Sequence, residues 1–273
     1  MFLIFVVDFK DTTLSISTKT IQDLEFSTVL QHVAQFCVTE LGKQETLDIK
    51  PIQNHQHLLN ELQLVFEYNN SLVSENRIPN HHFDNIQVDI KRLAIENSYL
   101  DADRYLKIAT VSETVNEIKK FLKKFEVYFP QLFKLSDEIE LTNYIIDSIR
   151  KIITNYGEVA DNASSELKQI RRDINKVRSK IGQSFTSALS SSIAAGYLDD
   201  IKETIVDNQR VLAVTAIHRK KISGSLMGSS KSGGIVYIAP QATLAHSREL
   251  QKLLYDEQQE VIKILKQLSA TIR

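Results

Sequence analysis

Apolar residues recur three and four positions apart along most of the chain, and this spacing predicts a mainly α-helical protein. The pattern predicts one helix from about Ile21 to Lys50 and a second from Gln56 to Leu72. Shorter helices are predicted near Ile86–Ile95, Asp101–Tyr128 and Leu141–Ile153. Only eight glycines and four prolines occur in 273 residues, which agrees with a high helical content.

Two longer helices are predicted in the second half of the chain, each with a coiled-coil seam. The first begins after a cap at Ser164 or Ser165 and runs towards Ile193. The second extends to the end of the chain, so we expect the sequence to be part of a longer protein. Helices of matched pattern are predicted to pair antiparallel as two arms. The seam positions are Leu167, Ile170, Ile174, Val177 and Ile181 in the first helix, and Leu250, Leu253, Val261, Ile264, Leu268 and Ile272 in the second.

The segment between the arms interrupts the helical pattern. Val211–Ala216 and Ile235–Ile238 are apolar and rich in β-branched residues, which is typical of strands. The connection His218–Gly234 is basic and rich in glycine and serine, and its part Gly224–Ser232 is predicted to be a flexible loop. A small β tip on two helical arms is suited to contact with a large partner rather than to enclosing a small molecule.

Charge is unevenly distributed along the chain, although the formal net charge is only −1. Glu166–Arg248 contains 13 Lys and Arg against 6 Asp and Glu, whereas the remaining residues contain 20 against 28. Such a split favours one face that binds a polyanion. The alternative is that exposed helical arms need charge to stay soluble.

Eight basic residues of this region are the candidate contacts to a phosphate backbone, because Lys and Arg release counterions when they neutralise phosphates. Most of them lie in or near the predicted tip, and two lie on the first arm in the part closest to the tip. On a coiled coil, arm residues of this kind can instead form a solvated flank. The candidates are Arg210, His218, Arg219, Lys220, Lys221, Lys231, Arg178 and Lys180.

Other chemistry is not predicted. Gly224–Ser232 has the wrong spacing for a phosphate-binding loop, and a strand rather than a helix follows it. The pairs His55/His57 and His81/His82 lie in polar stretches with no cysteine partner, so we interpret them as exposed histidines and not as metal ligands. We find no catalytic constellation and predict that this chain is not itself an enzyme and binds no cofactor or metal.

The location that the sequence predicts is the cytoplasm. The single Cys37 lies in an apolar helical stretch, where it is expected to be a core residue, and it cannot form an internal disulfide, which fits a reducing compartment. No apolar stretch reaches the length of a membrane span. The start, MFLIFVVDF, lacks a basic region and contains Asp8, so we interpret it as a strand or packing segment rather than a signal peptide.

Four motifs in order resemble the second bacterial subfamily of the MutS family, the anti-recombination paralogue that lacks the mismatch-reading domains. The first combines Leu24-Glu25-Phe26 with Thr39–Lys43. The others are the loop and helix start Gly157–Arg172, the strand Asn208–Val214, and Gly233–Pro240 before the helix that contains Glu249-Leu250. The resemblance covers about Ile21 to Arg273. It departs from many members at Leu226–Gly228, where they have a His-Asp pair, and the apolar N-terminal segment has no recognised counterpart.

The resemblance implies a mainly α fold with minor β, in which a helical core or lever domain (21–160) leads into a clamp domain (161–273). The N-terminal apolar extension (1–20) precedes these two domains. The clamp would have arms at about 164–195 and 241–273 and a β tip at about 203–240. In the family these regions lead into a dimeric ATPase, which uses ATP and Mg²⁺, and a nuclease-type domain, neither of which lies in these residues. The implied role is binding of branched or mismatched DNA to suppress homologous recombination, while some relatives act on stalled ribosomes and rRNA. The alternative from another class is a coiled-coil scaffold whose tip binds protein.

Overall fold

The computed structural model describes residues 16–273 and divides the chain into two compact units. Unit one comprises the residues up to Glu158 together with Leu268–Arg273, and unit two comprises Val159–Gln267. Within residues 16–273 the chain forms ten α-helices and one four-stranded antiparallel sheet, which confirms the predicted class of mainly α with minor β. The apolar start of the chain, MFLIFVVDF, lies outside the described residues.

Unit one is helical throughout its described part, and four of its helices match predicted stretches. Helix α4, for example, begins where the Asn54 side chain accepts a hydrogen bond of 2.9 Å from the backbone N–H of His57. His55 and His57 therefore lie in the first turn of α4, which begins one residue before the predicted start at Gln56. The helices are α1 (Thr18–Asp23), α2 (Phe26–Ala34), α3 (Glu40–Leu47), α4 (His55–Val73), α5 (Gln87–Leu93), α6 (Ala102–Lys124), α7 (Pro130–Asp137) and α8 (Asn143–Ile152).

The single helix predicted from Ile21 to Lys50 is wrong, because the chain turns twice in this stretch. Glu25 adopts a left-handed conformation with φ of 50° and separates α1 from α2. Thr39 then caps α3 by accepting a hydrogen bond of 3.0 Å from Gly42. Cys37 consequently lies between two helices and is only partly buried, with its Sγ 3.2 Å from the hydroxyl of Thr46. A local cap and one unusual backbone angle therefore outweigh the continuous apolar spacing.

Helix α7 is absent from the prediction, which leaves Pro130 outside every predicted helix. The proline instead occupies the first turn, where a missing N–H costs nothing. Glu67 of α4 is only 2% exposed, and its carboxylate accepts hydrogen bonds of 3.0–3.1 Å from the backbone N–H groups of Gln131 and Leu132. A buried acid from a distant helix therefore satisfies the start of α7.

Unit two contains both predicted arms, α9 (Ser165–Ala194) and most of α10 (Gln241–Ile272). The Ser164 side chain caps α9 by accepting from Leu167 at 2.9 Å, as the sequence predicts. In α9 the predicted seam positions Leu167, Ile174 and Val177 are buried, as expected for the apolar face of an amphipathic helix.

The two arms run antiparallel, and polar contacts join the N-terminal part of α9 to the C-terminal half of α10. The Ser164 hydroxyl bonds to Glu260 at 2.8 Å, and the guanidinium of Arg171 bonds to Glu257 at 2.7 Å. Glu166 also receives a bond of 3.1 Å from Lys263. The predicted antiparallel pairing of the two helices is therefore observed within unit two.

The sheet lies between the arms in sequence, with strand order β1-β2-β4-β3 and every neighbouring pair antiparallel. Its core is formed by Phe185 of α9 and by apolar residues of three strands, among them Leu212 and Ile238. In β2 the four residues Val211–Val214 are all buried, which explains their apolar run. The strands are β1 (Leu198–Val206), β2 (Gln209–Thr215), β3 (Gly224–Ser229) and β4 (Ile235–Pro240).

The flexible loop predicted at Gly224–Ser232 is wrong, because most of this stretch forms β3. The connection that contains it also begins with the end of a 3₁₀ helix, Ala216–Lys221. The sequence of β3, GSLMGS, lacks the alternation that identifies strands, and the strand exists because it pairs with β4. A Cβ atom at Gly224 would collide with the carbonyl oxygen of Ala239, so glycine is needed for this close approach. Strand β1 also extends five residues before the predicted tip, to Leu198.

None of the helices among residues 16–273 combines the length and the apolar composition that crossing a lipid bilayer requires.

Candidate nucleic-acid interface

Three consecutive cations are exposed at the end of the 3₁₀ helix Ala216–Lys221. They are Arg219, Lys220 and Lys221, and none of them forms an ion pair with the described residues. The next residue, Ile222, packs against the apolar core of the sheet. The backbone of the run is therefore anchored while its charges remain available to a partner.

Lys231 lies in the turn between β3 and β4, and it is also exposed. The Ser230 hydroxyl and backbone both bond to Ile235, and Gly233 takes the left-handed conformation with φ of 71°, which closes the turn. A backbone hydrogen bond of 2.9 Å from Ala216 to Gly234 joins this turn to the start of the 3₁₀ helix. The structure therefore places two of the predicted basic segments beside each other.

His218 contacts the protein itself. Its Nδ1 lies 2.9 Å from the hydroxyl of Thr215, and its ring centroid lies 5.0 Å from that of Tyr197. The side chain is half-buried, in contrast to its three basic neighbours. These contacts hold the 3₁₀ helix against the end of β2.

Arg178 and Arg210 both line a groove between α9, α10 and the start of β2. One terminal nitrogen of Arg210 donates to Glu203 at 2.6 Å, and its guanidinium lies over the ring of Phe185. Arg178 is exposed and forms no ion pair with the described residues. These two candidates are brought together, apart from the basic run of the 3₁₀ helix.

Lys180 is exposed on α9 and does not line that groove. Its charge acts on Asp173, whose pKa is lowered by a hydrogen bond from Gln169, by another from Lys176, and by the charges of Lys176 and Lys180. The position of Lys180 agrees with the solvated-flank alternative stated for the arm. Of the two candidates on α9, Arg178 therefore lines the groove and Lys180 does not.

An acidic strand opposite the basic tip was not singled out from the sequence. Strand β1 and the turn after it carry four acids against Lys202, and β1 forms the sheet edge opposite β3. The two edges of the sheet therefore differ in charge, because acids lie on β1 whereas the basic segments of the tip precede and follow β3. The acids are Asp199, Asp200, Glu203 and Asp207.

Two further groove residues were also missed. The ring of Phe185 lies under the guanidinium of Arg210. Gly182 lies in the middle of α9 and lines the same groove. A glycine inside a 30-residue helix is itself a signal, because it costs stability without a packing reason.

Neither histidine pair gathers with other metal-binding side chains. His82 contacts the carbonyl oxygen of Val38 at 2.8 Å, and His81 contacts the hydroxyl of Tyr68 at 3.1 Å. Within residues 16–273 no group of three or more His, Cys, Asp or Glu side chains could hold a metal ion.

Comparison with known proteins identifies similar chains along nearly the whole sequence. No protein-family model matches. The chain is 28% identical over 256 residues to the endonuclease MutS2 of Alkaliphilus oremlandii, covering 93% of this chain and 32% of the relative. It is 27% identical to the endonuclease MutS2 of Pelotomaculum thermopropionicum over 254 residues, and 27% identical to that of Lactobacillus helveticus over 258 residues.

The chain thus spans about a third of the length of the curated relatives that it matches. The four motifs and their order predict a resemblance to the second MutS subfamily, and these comparisons confirm that the chain is similar to MutS2 proteins over 93% of its length.

Proposed function

We propose that unit two is a clamp that binds the phosphate backbone of nucleic acid, as part of a MutS-family protein. The observation that carries the proposal is the run Arg219-Lys220-Lys221, which is exposed, anchored and without ion pairs among the described residues. A backbone hydrogen bond joins the start of the 3₁₀ helix to the turn that contains Lys231, so the tip has a fourth exposed cation near this run. Backbone phosphates are the partner that such a surface fits.

Counterion release gives the interaction a measurable signature. Each phosphate contact to duplex DNA contributes about −0.9 to the slope of log K against log salt. Three contacts would therefore make binding about 40-fold weaker between 50 and 200 mM salt. An apolar protein contact would show little of this dependence.

The proposed role in the longer protein is binding of branched or mismatched DNA that suppresses homologous recombination, through a homodimer. The second target within the same proposal is the rRNA of stalled ribosomes. In this proposal the chain performs no catalysis, and ATP with Mg²⁺ would be bound by other parts of the protein. The support is the similarity to proteins named endonuclease MutS2 together with the basic surface.

The test is a binding titration over a salt series with a branched DNA, a plain duplex and an rRNA fragment. We expect the triple variant Arg219→Ala, Lys220→Ala, Lys221→Ala to reduce the salt slope by about 2.7 for duplex DNA. The ranking of the three ligands would choose between the recombination role and the ribosome role. Unchanged affinity of the triple variant at low salt would refute the tip contact, and salt-insensitive binding to a protein would favour the scaffold alternative.

A matched control removes the same amount of charge from unit one. Lys91, Lys120 and Lys123 are exposed, and replacing all three with alanine also removes three positive charges. We expect this control to leave the salt slope almost unchanged. A similar loss in both triple variants would mean that net charge, and not the tip, determines binding.

A further inference from the structure

A groove of about 330 Å³ lies between α9, α10 and the start of β2. Its charged side chains are Arg178 and Arg210, and no Asp or Glu is among its lining residues in the described chain. Three residues with side-chain amides, Asn208, Gln209 and Gln251, are also among its lining residues. The groove thus combines positive charge with groups that can both donate and accept hydrogen bonds.

The middle of α9 leaves this groove open. A Cβ atom built at Gly182 would meet no atom within 4 Å, so packing within the protein does not require a glycine there. Glycine inside a helix is unfavourable relative to alanine. Its presence is explained if a ligand approaches the helix backbone at this point.

Arg210 presents a flat, positioned surface in the groove. One face of its guanidinium lies over the Phe185 ring, with the guanidinium carbon 4.2 Å from the ring centroid. Glu203 holds one terminal nitrogen, and the side chain is still 47% exposed. A nucleobase can stack on such a guanidinium plane, and single-stranded nucleic acid is commonly recognised in this way.

We propose that this groove binds one unpaired nucleotide of single-stranded nucleic acid. Arg178 would contact its phosphate, the base would stack on Arg210, and the amides would meet the base edge. A volume of about 330 Å³ is at the lower end of the range of small-molecule sites, which suits a single nucleotide. The inference rests on the proposed nucleic-acid binding and adds a preference for an unpaired strand.

Filling the groove provides the test. Gly182→Leu places a side chain in the open space, and leucine is a good helix former. The full chain is titrated by fluorescence anisotropy with oligothymidylate, with oligouridylate and with a DNA duplex of equal length. We expect the variant to lose about tenfold in affinity for a single strand, with no matching loss for the duplex.

The two single-stranded probes distinguish DNA from RNA as the source of the nucleotide. Gln183→Leu is the matched control, because Gln183 is exposed on the same helix and does not line the groove. It should leave both affinities unchanged. Arg178→Ala should weaken single-strand binding without filling the groove, which checks the result by a different route.

The outcomes distinguish a failure of the groove inference from a failure of the proposed function. Unchanged single-strand affinity in Gly182→Leu overturns the groove inference, and so does an equal loss for single strand and duplex. Absence of single-strand binding by the wild-type chain also overturns it. Duplex affinity that survives the triple tip variant refutes the proposed function instead, so the two failures are distinguishable.

Discussion

The guanidinium carbon of Arg210 lies 4.2 Å from the centroid of the Phe185 ring, which joins the start of β2 to the middle of α9. Phe185 is 1% exposed and belongs to the core of the sheet, so its ring offers a fixed surface. Cation–π contacts of this kind stabilise by about 0.5–2 kcal/mol. The orientation of Arg210 is therefore set by the core of unit two and not only by its ion pair with Glu203.

Arg210→Lys tests this relationship, because lysine keeps the charge but lacks the flat guanidinium. We expect the free energy of unfolding to fall by about 0.5–1 kcal/mol. Urea unfolding followed by circular dichroism measures the change. Arg248→Lys, at an exposed position of α10, is the control and should have no effect. Equal stability of wild type and Arg210→Lys would show that the stacking contributes nothing.

Replacement by alanine should change the stability of the protein in opposite directions at two glycines, one inside α9 and one just after its C-terminal end. Gly182 lies inside the helix with open space around it, so Gly182→Ala should stabilise by about 1 kcal/mol. Gly196 has φ of 71° just after the helix, so Gly196→Ala should destabilise by about 1 kcal/mol. Thermal melting compares them. A destabilising effect of Gly182→Ala would contradict the open space beside the helix at this position.

The apolar seam of α9 is predicted to hold the two arms together. Ile174 is 3% exposed, so Ile174→Asp buries an unpaired charge and should lower the free energy of unfolding by about 3–5 kcal/mol. Asn175→Asp introduces the same charge at the exposed neighbouring position and should cost little. Melting temperatures of the two variants make the comparison. The seam would lose its proposed role if both variants melted alike.

Glu260 makes the arm pairing sensitive to acid. Burial alone would raise its pKa, but hydrogen bonds from Lys263 and Ser164 and the charge of Lys263 lower it below the ordinary value of 4.5. A lowered folded pKa means that this stabilisation is present above pH 4.5 and is lost as the pH falls through the lowered pKa.

Glu260→Gln should therefore be less stable than wild type at neutral pH, by about 1–2 kcal/mol. The difference should shrink as the pH falls below 4.5, because the wild-type carboxylate becomes protonated. Urea unfolding at a series of pH values measures it. Glu75→Gln, at an exposed position of unit one, serves as the control. A difference that stays constant down to strongly acidic pH would contradict the role of Glu260.

Elements whose signal is local were predicted from the sequence alone. The arm α9 begins at the predicted serine cap, and three of its five predicted seam residues are buried. Strands β2 and β4 contain the two predicted apolar runs. The apolar spacing indicates which face of the element is buried, and a capping residue indicates where a helix begins. A short stretch of sequence is therefore sufficient to predict such an element.

Other elements exist only through contacts with distant residues. Helix α7 begins on the carboxylate of Glu67, and β3 is a strand because β4 pairs with it. The break at Glu25 depends on one backbone angle that apolar spacing does not report. The sequence predicted basic residues in and near the tip. It did not predict that Arg178 lines the groove while Lys180 does not, or that the acids of β1 lie at the opposite edge of the sheet from β3.

The sequence by itself therefore determined the helical arms, the short β insert, the basic character of the tip and the resemblance to the MutS2 proteins. Only the tertiary structure decided which charges are free, which are paired, and that Arg178 and Arg210 share a groove above Gly182. The physical reason is that helix and strand periodicity follow from neighbours along the chain. The partners of a charged side chain are determined by residues that folding brings together from elsewhere in the chain.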